Sequence, residues 1–181
     1  MVQVFTDLMS GDEMLSDAFP AAPVVDEEGN EVPGCFMVAT KMIPFDDSVD
    51  IGCGNAFGGE EEAPPADVEM VNNLVKAFEL QETGFGAVSE FKAWLKEFAG
   101  AVLEKLKEQK EAGKIDQEVI KEWRTVEAPA ICKFLLKRFS DLQFYNGPSF
   151  VSDNLAFAYY PDGAITPNFI YVKKAFNVMK F

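Results

Sequence analysis

Between residues 86 and 139 the apolar residues take up a helical period while the chain on either side keeps strand-like patterning, and that switch narrows the available folds more than any other feature. Phe91, Leu95, Phe98, Val102 and Leu106 recur at steps of three and four, which lays one apolar stripe along a helix. Ser89 is the expected N-cap and Ala112-Gly113 the expected stop. A second amphipathic run opens near Asp116 or Gln117 and carries Val119, Ile120, Trp123, Ile131, Leu135 and Leu136. Pro129 lies inside it. Its ring clashes with the preceding turn and it has no N–H, so a kink or a restart is expected near Ala128. The short Ala-Gly-Lys connection makes the two runs an antiparallel hairpin.

The flanks read differently. Val2-Gln3-Val4-Phe5 alternates as a half-buried strand does. Asp26-Glu27-Glu28-Gly29-Asn30 is turn chemistry between Val24-Val25 and the strand-like Cys35-Phe36-Met37-Val38. Residues 68 to 83 are strand-like again, with Leu74 to Phe78 equally readable as a helical turn. After the hairpin, Gln143-Phe144-Tyr145 and the turn Asn146-Gly147-Pro148 precede a predicted β-hairpin. Its arms are Leu155 to Tyr160 and Ile165 to Val172, joined at Pro161-Asp162-Gly163. The expected class is α+β, with a β core from residues 1–85 and 140–181 and the helical hairpin over 86–139. Residues 41 to 67 break the pattern: rich in glycine and proline, with seven acids against one lysine, they predict a long mobile acidic loop.

Function classes fall away by composition. The 181 residues contain no histidine, which removes the commonest general base and metal ligand and every Ser-His or Cys-His nucleophile. The three cysteines, Cys35, Cys53 and Cys132, form no pairs of the kind a zinc site needs, and no disulfide framework. The opening lacks a basic n-region with a following apolar run, and no window is long enough to span a membrane. A cytoplasmic protein that is not an enzyme is expected. Net charge is −14, but unevenly spread: residues 86 to 139 hold eleven basic and nine acidic side chains, the rest five and twenty-one. A mildly basic arm on a strongly acidic body suits protein contacts rather than nucleic acid.

Several blocks, in one order along nearly the whole chain, carry a resemblance to a family. The opening FTDLMSGDEMLSDAF is one, and Asp46-Asp47-Ser48 with Ile51-Gly52 and Gly54-Asn55-Ala56 is another. Leu80-Gln81-Glu82-Thr83 precedes the hairpin. Leu142 to Gly147, Tyr159 to Gly163 and Thr166-Pro167 close the set. Together they resemble the translationally controlled tumour protein family. Departures are Phe57, Pro148 after Gly147, the final Phe181 and a longer hairpin around 109 to 118. The resemblance implies a twisted, tent-like β core similar to that of a small Rab-binding protein, without that protein's zinc, together with a long loop and a projecting hairpin.

It also implies sites. Glu13 and Leu80 match a proposed contact with the small GTPase Rheb, where a carboxylate beside an apolar residue could disturb the magnesium and switch region; Glu13 equally suits a turn and Leu80 a core. Asp46, Asp47, Asp50, Glu60, Glu61 and Glu62 are the expected carboxylates for weak calcium binding, although no EF-hand pattern is present. Ser48 lines up with a serine phosphorylated by a mitotic kinase. Lys121, Arg124, Lys133, Lys137 and Arg138 are the expected contacts with the acidic surface of tubulin, against the alternative of an ordinary charged helix face. The expected activities are calcium binding, microtubule association and regulatory scaffolding in growth control and survival. The alternatives are a nucleotide-exchange regulator of a Rheb-like GTPase and a chaperone-like acidic protein. A monomer is expected, with a dimer through oxidation of Cys53 left open.

Overall fold

The computed structural model describes residues 3–44, 70–149, 154–161 and 164–180. From the N-terminus, β1 (Gln3–Asp7), β2 (Glu13–Ser16), β3 (Ala21–Val25) and β4 (Glu31–Ala39) precede the short β5 (Met42–Pro44) and β6 (Met70–Asn72). Helix α1 (Asn73–Phe78) and β7 (Gln81–Thr83) follow. The hairpin consists of α2 (Val88–Glu111), α3 (Gln117–Glu122) and α4 (Ala128–Lys137), with a π-helical turn over Trp123–Glu127. β8 (Gln143–Asn146), β9 (Ala156–Tyr159), β10 (Asn168–Val172) and β11 (Phe176–Lys180) complete an α+β fold.

Every pairing among the described residues is antiparallel. One sheet has the order β3-β4-β10-β9-β8-β7, a second β11-β1-β2, and β5 pairs only β6. Sequence-adjacent strands make the β3–β4 and β9–β10 hairpins, whereas β4–β10 and β1–β11 join opposite ends of the chain. Tyr171 on β10 fastens the two larger sheets. Its hydroxyl donates to the Met14 carbonyl at 2.9 Å, its ring stacks on Phe36 and its edge meets Phe176. Burial without a charged neighbour pushes that phenol far above its ordinary range.

All five residues of the α2 stripe are buried. Phe91 packs on Phe144 and Phe157 of the six-stranded sheet, and Phe85, Trp94, Phe98 and Phe139 extend the same aromatic cluster. Rings at these separations add about 0.5–1.5 kcal/mol per pair beyond the area they bury. The hairpin therefore stands on the sheet at its base.

Two local expectations change. The N-cap of α2 is Ala87, not Ser89. The helix starts earlier, at Val88, and Glu90 Oε1 accepts from the Gly86 N–H ahead of it at 3.0 Å. The expected loop over 41 to 67 loses its first residues, since Met42–Pro44 is a strand paired with Met70–Asn72. That ladder continues into side-chain contacts: Asn72 Nδ2 donates to Thr40 Oγ1 at 2.8 Å, and Thr40 Oγ1 donates to the Pro167 carbonyl at 2.6 Å. Asn72 Oδ1 also accepts from the Leu74 and Val75 amides, which decides the open choice at Leu74 to Phe78 in favour of a helix. Glu79 closes that helix in the left-handed conformation and turns Leu80 into the core.

Pro129 acts one step upstream of itself. The Ala128 N–H bonds the Trp123 carbonyl in the π pattern, and Pro129 offers no N–H. The Arg124 carbonyl is thus left without a helical donor at the fourth or fifth following residue.

Candidate functional site

The β3–β4 turn follows from its residues. Asp26 Oδ1 accepts from the Glu28 and Asn30 amides at 2.9 Å each, and Gly29 takes a φ of +86° that a side chain would resist. The turn presents Glu27, Glu28 and Glu31 to Lys133, Lys137 and Arg138 on and just beyond α4. Between these walls lies a cleft of about 270 Å³ whose floor is Val32, Pro33, Ala130 and Phe134. Glu27 Oε1 and Lys137 Nζ pair across it at 2.7 Å. The hydrogen bond and charge of Lys137 hold the Glu27 carboxyl below its usual value, and Glu27 raises the Lys137 ammonium in return. The Arg138 guanidinium lies over the Phe134 ring, 4.9 Å from its centroid, and 5.9 Å from that of Tyr159. The cleft can recognise charge on an apolar base; it offers no nucleophile activated by a base.

Of the five expected basic contacts, three therefore share this cleft. Arg124 stands instead at a separate groove between α2 and the π turn, and Lys121 lines a shallow depression with Glu118, Glu122 and Thr125. Lys121, Arg124, Lys133 and Lys137 are all exposed, and Arg138 is half-buried.

Sequence reasoning missed the one ion pair among the described residues that is largely covered. Glu127 Oε1 accepts from Lys174 Nζ at 2.6 Å, with side chains only 11% and 16% exposed, and Glu122 approaches the same ammonium at 3.2 Å. Gly34, at a φ of +85°, passes so close that a Cβ would lie 2.8 Å from the Glu127 Cβ. The Pro33-Gly34 step inside an otherwise strand-like run was the available signal.

Glu13 and Leu80 lie on neighbouring elements, since β2 packs against α1, but they differ in access. Glu13 is exposed, while Leu80 is 5% exposed and part of the core. The turn that presents Glu13 is braced by side-chain hydrogen bonds. The buried Asp7 accepts from the Met9 amide, the Ser10 hydroxyl and Asn154 Nδ2. Asp12 Oδ2 accepts from the amide and hydroxyl of Ser149.

Asp46, Asp47, Asp50, Glu60, Glu61, Glu62, Ser48 and Cys53 lie outside the described residues. Among the described residues no group of three or more Cys, Asp or Glu is placed to hold a metal ion, and no helix is long and apolar enough to cross a membrane. Burial pushes the Cys35 thiol up to about 12, with Glu127 and Glu31 adding to the shift, and burial also raises the Cys132 thiol.

A family model described as translationally controlled tumour protein matches residues 2–177. Among solved structures, the chain is similar to the translationally controlled tumor-associated protein p23fyp of Schizosaccharomyces pombe. Identity is 26%, coverage 99% of both chains and the TM-score 0.72. The solution structure of the translationally-controlled tumor protein of Caenorhabditis elegans shares the fold at a TM-score of 0.60, with 23% identity over 99% of this chain and 98% of that one.

Proposed function

Since the chain belongs to the translationally controlled tumour protein family, whose members are regulatory proteins, we propose that it works in the cytoplasm as a binding and scaffold protein whose helical hairpin docks on acidic protein surfaces, those of microtubules included. The observation that carries this reading is the outward presentation of Lys121, Arg124, Lys133 and Lys137 on a segment of net positive charge, in a chain of net charge −14. Exposed cations on a rigid helical frame meet a carboxylate-rich surface without the ordering cost a loose tail would carry. Microtubule cosedimentation tests it. Binding should weaken steeply as salt is raised, and a variant with Lys121, Arg124 and Lys133 all changed to Glu should stay in the supernatant. Unaltered pelleting of that variant refutes the hairpin as the contact.

Calcium binding belongs to the same proposal and rests on the carboxylates at 46, 47, 50 and 60 to 62, which are hard oxygen ligands. A calcium titration followed by NMR at physiological salt should give saturable shifts confined to those segments. Shifts spread over every acidic residue would mean screening alone.

A second reading is favoured by one observation, the exposure of Glu13 on a turn fixed by Asp7 and Asp12. It makes the protein a regulator of a Rheb-like small GTPase through that carboxylate. A nucleotide-release assay in which Glu13→Ala has no effect would remove it.

A further inference from the structure

The groove between α2 and the π turn, where Arg124 stands, lies apart from the cleft beside the β3–β4 turn. It encloses about 320 Å³ and is walled by Ala99, Gly100 and Leu103 of α2 facing Trp123, Ala128 and Pro129. Trp123 Nε1 donates to the Ala99 carbonyl at 3.2 Å, which fixes the distance between the two walls. Lys96 and Arg124 stand at the rim, and neither has an ion-pair partner among the described residues.

Gly100 is the first sign that the groove is kept open. It lies in the middle of a 24-residue helix, where glycine is less favourable than alanine by about 1 kcal/mol. A Cβ at Gly100 would meet nothing within 4 Å, and its backbone is ordinary right-handed helix. Neither packing nor conformation requires the glycine; its effect is to leave the floor of the groove bare. The π turn supplies the second sign. The Ala128 N–H goes to the Trp123 carbonyl and Pro129 has none, so the Arg124 carbonyl lacks the donors a regular helix would give it, at a residue that lines the groove. The third is charge: an apolar recess with two unpaired cations at its rim is complementary to an apolar side chain flanked by carboxylates.

We propose that this groove docks an acidic peptide segment, seating one large apolar side chain of that segment against Leu103 and Pro129 while neighbouring carboxylates pair with Lys96 and Arg124. The inference rests on the reading of the hairpin as an arm for acidic surfaces and adds the anchor and its pocket. A second copy of this chain is the poorer occupant, because two molecules of net charge −14 repel one another at long range.

The probe is an acetylated Glu-Glu-Phe-Glu-Glu peptide, titrated at physiological salt into the ¹⁵N-labelled full chain. Saturable amide shifts are expected at residues 99, 100, 103, 124 and 128, with affinity falling about tenfold when the probe's Phe is replaced by Ala. Gly100→Leu fills the groove from its open floor, so it should abolish binding while the circular dichroism and thermal midpoint hold or rise. Lys96→Glu with Arg124→Glu should also abolish it. Equal binding of the Phe and Ala peptides, shifts centred on Lys133 and Lys137, or unchanged binding by Gly100→Leu would each overturn the proposal. So would self-association, seen by sedimentation, that Gly100→Leu removes. Peptide binding in the groove without microtubule pelleting removes the microtubule reading alone. Pelleting that Gly100→Leu leaves intact, with no peptide binding, removes this inference alone.

Discussion

Gly34 and Glu127 are in such close register that a methyl group on Gly34 would stand 2.8 Å from the Glu127 Cβ, and the strand there holds a φ of +85°. Gly34→Ala therefore meets two penalties at once, the left-handed backbone and an overlap with a side-chain stem that cannot swing away. A loss of roughly 2–4 kcal/mol in urea unfolding is expected. Gly29→Ala is its control, with a φ of +86° but nothing within 4 Å, and should cost only about 1 kcal/mol. Equal losses at the two positions would show that the Glu127 contact contributes nothing.

The Lys174–Glu127 pair is covered on both sides, so removing one partner strands the other charge. Lys174→Ala should destabilise by about 3 kcal/mol, and adding Glu127→Gln in the same chain should recover most of it. Chemical denaturation of the two single variants and the double gives the coupling directly.

Much of this region escaped a reading of the sequence, for a physical reason. The α2 stripe, the Pro129 irregularity and the β9–β10 hairpin are local: each is set by residues within one or two turns, and period and turn chemistry expose them. Glu127 meets Lys174 across 47 positions and Gly34 across 93. No periodicity marks such a pair, because it exists only once β4 and the π turn have packed together. The same holds for the β1–β11 pairing and for Tyr171 reaching Met14. At the candidate sites the residue types were legible and their grouping was not. Lys133, Lys137 and Arg138 share a cleft that Arg124 does not enter, and that cleft exists only where the β3–β4 turn, remote in sequence, comes up against α4.

Leu80 and Glu13 should separate cleanly by stability. Leu80→Ala removes a buried side chain and is expected to cost about 2–4 kcal/mol, whereas Glu13→Ala, on an exposed position, should stay within about 0.5 kcal/mol. Thermal unfolding of both variants checks this. A functional defect of Leu80→Ala is then a folding defect unless its midpoint is unchanged.

Gly100→Ala should stabilise the chain by about 0.5–1 kcal/mol, since an open helical position gains propensity and loses no contact. A lower thermal midpoint would mean that the groove floor is occupied in the free protein.

Cys35 makes a contribution that depends on alkaline pH. Its thiol ionises near 9 when exposed and at about 12 in the fold, so the unfolded chain releases a proton that the folded chain keeps. The stability tied to this group is complete below pH 9 and is lost as pH rises from 9 towards 12, at up to about 1.4 kcal/mol per pH unit. Cys35→Val should flatten that limb of the stability profile. In the parent chain the thiol should resist alkylation at pH 8 until the protein unfolds.

The pairing of β1 with β11 has a consequence in time as well as space. During synthesis the N-terminal strand emerges early and finds β2 at once across a short turn. Its other edge stays open until residues 176–180 have been added, through the whole interval in which the helical hairpin is made. Closing a contact that spans nearly the full chain carries a large entropic cost, so the three-stranded sheet is expected to be the slow, late step of folding. Until that step, one bare strand edge remains exposed to whatever else can pair with it.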